Sequence, residues 1–60
     1  MTLEQLEKHF TILDNDPYDD KGSAYISARR YAEGYNGVTV IKPDDDNGYY
    51  VVQSKVIAAL

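Results

Sequence analysis

Four aspartates crowd one short stretch of this chain, Asp14, Asp16, Asp19 and Asp20 within DNDPYDDKG. Carboxylate oxygens at that density are the donors that hard cations such as calcium and magnesium take. The spacing does not continue into a calcium loop. Counted from Asp14, an EF-hand pattern needs glycine where Asp19 stands and a bidentate glutamate where Tyr25 stands. The stretch therefore reads as a solvated turn rich in Asp, Asn, Pro and Gly. A second acidic run, Asp44, Asp45 and Asp46, places contiguous carboxylates on an extended loop, where they point in different directions. No metal and no cofactor are expected.

The remaining chemistry-bearing residues are few. His9 is the only histidine, cysteine is absent, and no serine stands in a nucleophile-elbow context. A pocket of ~300 Å³ or more, which would be needed to drive two carboxylate pKa values apart, is not expected in so small a domain. The chain reads as a non-enzyme. Arg29 and Arg30 beside Tyr31 and Tyr35 have the cation and ring pairing that single-stranded nucleic acids use. A basic stripe is missing and Glu33 follows closely, so no direct nucleic-acid contact is expected.

Tyrosine is the stronger signal. Six tyrosines, one phenylalanine and no tryptophan are too many hydroxyl-bearing rings for one small core. Some must reach the surface, where tyrosine gives large contact area at low entropic cost. The expected partner-binding residues are Asp44, Asp45, Asp46 and Tyr49 at one tip, with Asp16, Tyr18, Asp19 and Asp20 in the other acidic loop. Changing Asp44, Asp45 and Asp46 to Asn should then weaken partner binding and spare the fold.

The elements that position these residues follow from periodicity. Thr2 and Gln5 have capping-box spacing, and Leu3, Leu6, Phe10 and Leu13 continue a helical stripe, which predicts a helix over 2–13. The β-formers His9 to Leu13 allow an earlier end. A second helix is expected from Ser23 or Ser27 to Tyr35, with Tyr25, Ala28, Ala32 and Tyr35 on one stripe and Asn36-Gly37 as its stop; residues 24–27 could instead form a short strand. VTVIKPDDDNGYYVVQS then reads as a β-hairpin. A loop from Pro43 to Gly48 keeps Pro43 out of the ladder and sets Ile41 opposite Tyr50 and Val40 opposite Val51. Val56, Ile57 and Leu60 are expected to be covered.

The predicted fold is α+β, one compact domain over residues 1–60. Two helices pack on one face of an antiparallel β-hairpin or small antiparallel sheet, in the order α-α-β-β. Its expected core is Leu3, Leu6, Phe10, Leu13, Ile26, Ala28, Ala32, Val38, Val40, Ile41, Val51, Val52 and Ile57. Sixty residues bury only about 60% of the surface an unfolded chain exposes, so stability should be modest. The chain has no ~20-residue apolar run and no leader-like start, which predicts a cytoplasmic protein without membrane contact.

A net charge of −4 favours a larger, basic protein as partner. In general character the chain resembles the compact, acidic, cysteine-free inhibitors encoded by bacteriophages and other mobile elements, some of which imitate DNA. The resemblance implies an interaction module that inhibits or modulates a host nucleic-acid-binding protein. Since B-DNA carries one charge per ~1.7 Å of axis, ten acids offset by six bases suffice only for local mimicry. The alternative is a structural or assembly module that acts as a homo-oligomer, for example a homodimer joining hairpin edges.

Overall fold

The computed structural model describes residues 1–14 and 16–55. Thr2 caps the first helix, α1 (Leu3–His9): the Gln5 amide donates to Thr2 Oγ1 at 3.2 Å and the Thr2 amide donates back to Gln5 Oε1 at 2.9 Å. This capping box satisfies amides that a helix start leaves without intrahelical partners. The helix stops earlier than 13. Phe10 is already extended (φ −136°, ψ 154°), and Phe10 to Ile12 form a strand, β1.

The second helix, α2 (Lys21–Tyr31), starts earlier and ends sooner than its sequence signals suggest. Asp20, rather than either serine, is the N-cap; its carboxylate accepts from the Ser23 amide at 2.9 Å. Residues 24–27 are helical. After a short turn, Gly37 takes φ +73°, a left-handed backbone that favours glycine, and leads into β2 (Val38–Ile41). The last described element is β3 (Tyr50–Ser54).

The element order is thus α1-β1-α2-β2-β3, which corrects the expected α-α-β-β. The sheet is three-stranded and antiparallel in the order β1-β3-β2. The physical reason lies in β3. In a bare hairpin it would leave a row of backbone groups unpaired, and the β-branched and aromatic run at Phe10 to Ile12 pairs with that row. The hairpin register agrees with expectation: Ile41 lies opposite Tyr50 and Val40 opposite Val51.

Leu6 packs against Tyr50 and Val52 on one face of the sheet, with Leu3, Phe10, Ile12 and Ile41 around them. The pleat turns Val51 to the other face. There α2 lies against β2 and β3, burying Ala24 and Ala28. One helix on each face replaces the expected pair on a single face. Small alanines allow the close approach, but the stripe is rotated: Ala24, Ser27, Ala28 and Tyr31 turn inward, while Tyr25, Ala32 and Tyr35 are exposed. Ile26, expected in the core, is 60% exposed, and Ala24 and Tyr50 take places in it that the sequence reading missed. Val56, Ile57 and Leu60 lie outside the described residues. No helix among the described residues is long and apolar enough to cross a membrane.

Candidate interaction site

The two acidic segments meet through their tyrosines. Tyr18 and Tyr49 form an isolated antiparallel bridge, the Tyr18 amide donating to Tyr49 O at 2.9 Å and the Tyr49 amide to Tyr18 O at 2.8 Å. Gly48 is buried against Pro17 at this junction. Sequence spacing gave no hint that Tyr18 and Tyr49 would be neighbours.

The tip carboxylates are engaged inside the chain. Asp44 Oδ2 accepts from the N-terminal ammonium at 2.6 Å, and Asp45 Oδ1 accepts from the Leu3 amide at 2.8 Å. The ammonium holds the Asp44 carboxyl below its usual value. Asp44 and Asp45 therefore fasten the start of α1 to the hairpin loop, so replacing them touches the fold as well as any partner surface. In the other loop, Asp14 Oδ2 accepts from the Tyr18 hydroxyl at 2.6 Å, a bond that raises the Tyr18 pKa, and Asp20 caps α2. Asp16 and Asp19 are exposed. No group of three or more His, Cys, Asp or Glu among the described residues is arranged to hold a metal ion.

Asp46 accepts from the Tyr50 hydroxyl at 2.6 Å and, through its other oxygen, from the Gly48 amide at 3.2 Å. The Asp46 bond, aided by burial, pushes the Tyr50 pKa up to about 12, and the same bond holds Asp46 below its usual value. The signs are opposite. The neutral Tyr50 hydroxyl contributes stability that is fully present below pH 10.0 and lost as pH climbs towards about 12. The contribution of ionised Asp46 is present above pH 3.8 and lost as pH falls through its lowered value. In an alkaline titration followed by tyrosinate absorbance, Tyr50 should ionise near 12, and Asp46→Asn should move it back towards 10.0.

A concavity lies elsewhere among the described residues, beside α2. It is an open depression of about 640 Å³, larger than a chain this size suggested, and its lining includes Asp14, Tyr18, Arg30, Tyr31, Glu33 and Tyr35. The Tyr31 and Tyr35 rings meet edge to face at 5.9 Å, and the Tyr31 hydroxyl donates to Leu13 O at 3.2 Å. A second depression of about 270 Å³ shares Tyr18, Ser27 and Arg30 with the first and adds Ser23 and Ile26. Together they follow one α2 stripe, Ser23, Ile26, Ser27 and Arg30, at i, i+3, i+4 and i+7. Arg30 has no ion-pair partner among the described residues.

Of the expected partner-binding residues, only Tyr18 lines this surface. Tyr31, Tyr35 and Arg30 were visible in the sequence as a cation and ring cluster, and the missing signal was the rotation of α2 that brings Ile26 beside them. No model of a known protein family matches the chain, and no match was found among curated proteins or solved structures.

Proposed function

We propose that the chain is a non-enzymatic interaction module of the cytoplasm, which binds a larger basic protein and modulates it through the tyrosine-lined surface beside α2. The observation that carries this reading is the gathering of Tyr18, Tyr31 and Tyr35 around one depression, with Ile26 60% exposed in the adjoining one. Tyr18 and Tyr31, held by their own hydroxyl bonds, lose little freedom on binding, and the three rings offer broad apolar faces.

The occupant that fits is an arginine- or lysine-bearing segment of the partner. Aromatic faces attract such cations, Asp14 and Glu33 flank the depression, and the net charge of −4 steers a basic surface towards it. Arg30 supplies the opposite sign at one edge, where a partner carboxylate would set orientation. The phosphate-mimicking form of the reading has less support, because Asp44 and Asp45 hold the start of the chain.

The test is affinity capture from the native cell, followed by titration calorimetry with the purified basic partner. Tyr35→Ala and Ile26→Asp should each weaken binding about tenfold or more while leaving the melting temperature close to wild type. Affinity should also fall with added salt. Undiminished binding by both variants would move the site away from α2, and loss on changing Asp16 and Asp19 instead would place it on the acidic loop.

A further inference from the structure

Among the described residues nothing pairs with the outer edge of β2, and the hydrogen-bonding pattern of that edge can be read from the ladder. The Ser54 amide donates to Gly37 O at 3.1 Å, so Gly37, Thr39 and Ile41 direct their backbone groups at β3. Val38 and Val40 occupy the alternate positions and direct their N–H and C=O groups outward, where no partner is found among the described residues. The other edge is less open, because the Phe10 amide already donates to Leu6 O.

Exposed edges are ordinarily blunted by charge, proline or a bulge. Val38-Thr39-Val40-Ile41 carries no charged side chain and no proline, and it pairs with β3 in unbroken register. From this edge we propose that β2 docks antiparallel on β2 of a second copy, joining the two three-stranded sheets about a two-fold axis at Thr39. With Thr39 facing its counterpart, Val38 of each copy lies opposite Val40 of the other, and every outward N–H and C=O of these valines finds a partner.

Self-complementarity is what selects a second copy. The fit holds for this chain against itself, and it brings no like charges together: Lys42 falls opposite Asn36, and Gly37 opposite Ile41. Thr39 is exposed and lies on the α1 face, so the two threonines form a cross-strand pair of a favoured kind. This contact is separate from the surface beside α2. It contains no ion pair, so added salt does not weaken it, whereas salt weakens capture of a basic partner.

Sedimentation equilibrium over a concentration series should show a species of twice the 6.8 kDa chain mass. Thr39→Lys and Thr39→Glu each set like charges across the axis and should weaken self-association about fivefold, and mixing the two variants should restore it. Amide exchange needs no variant: the Val38 and Val40 amides should slow as wild-type concentration rises, while the Thr39 amide, already bonded to β3, is unaffected. A wild-type chain that stays at single mass throughout, or Val38 and Val40 exchange that ignores concentration, overturns the proposal. So does a folded Thr39→Lys variant that assembles as wild type does.

Discussion

Leu6→Ala is expected to remove about 2–5 kcal/mol of stability, the range found when a fully buried leucine is cut back to alanine. Leu6 has no exposed surface and sits at the centre of the cluster formed with Tyr50 and Val52. A domain of 60 residues has a total stability of roughly 3–9 kcal/mol, taking ~0.05–0.15 kcal/mol per residue. The substitution thus removes from about a fifth of what holds the chain together to all of it, and the unfolded fraction should rise accordingly. Urea unfolding followed by circular dichroism reads this directly as a fall in the midpoint. Ile26→Ala is the matched control. Ile26 is 60% exposed, so its truncation should change stability by no more than ~0.5 kcal/mol although it removes a comparable apolar side chain. Equal losses from the two substitutions would mean that α2 is rotated from the position described.

That contrast also shows where the sequence is legible. Thr2 and Gln5 announce the start of α1 because a capping box is local chemistry, decided within one turn. The register of Val40 on Val51 is legible because Pro43 cannot stand in the ladder and the β-branched runs on either side have matched lengths. The end of α1 is not legible in the same way. Leu6, Phe10 and Leu13 satisfy a helical period, whereas Phe10 and Ile12 also satisfy the period of a strand, and the choice is made by β3, forty residues further along. The face that α2 buries differs from its sequence pattern for a related reason. Tyrosine has an apolar body and a polar tip, so Tyr25 and Tyr35 carry no firm instruction to point inward, and Ala24 with Ala28 wins because only small side chains let the helix sit close to Val51. The role of Asp44 and Asp45 depends on where α1 begins in space, which no run of acids in a sequence can express.

Gly48→Ala should damage the candidate site beyond its effect on stability. A Cβ built at Gly48 would stand 2.2 Å from Pro17 Cβ and 2.8 Å from its Cγ, far inside contact distance, and the proline ring cannot rotate away. One of the two loops must therefore retreat. The bridge between Tyr18 and Tyr49 spans this junction, so the retreat pulls Tyr18 out of the lining it shares with Tyr31 and Tyr35. Overpacking of this kind costs about 1–3 kcal/mol. Partner binding through α2 should fall as well, even at temperatures where the variant remains folded, and the Tyr18 and Tyr49 amides should lose their protection from exchange. Pro17→Gly provides the decisive partner, since it deletes both offending atoms and leaves only Pro17 Cα, 3.5 Å from the new Cβ and in ordinary contact. In the double variant the glycine has changed sides of the junction, and Tyr18 protection should return. The two stability changes should then be strongly non-additive. If they simply add, Gly48 and Pro17 do not meet, and the placement of Tyr18 over α2 has another cause.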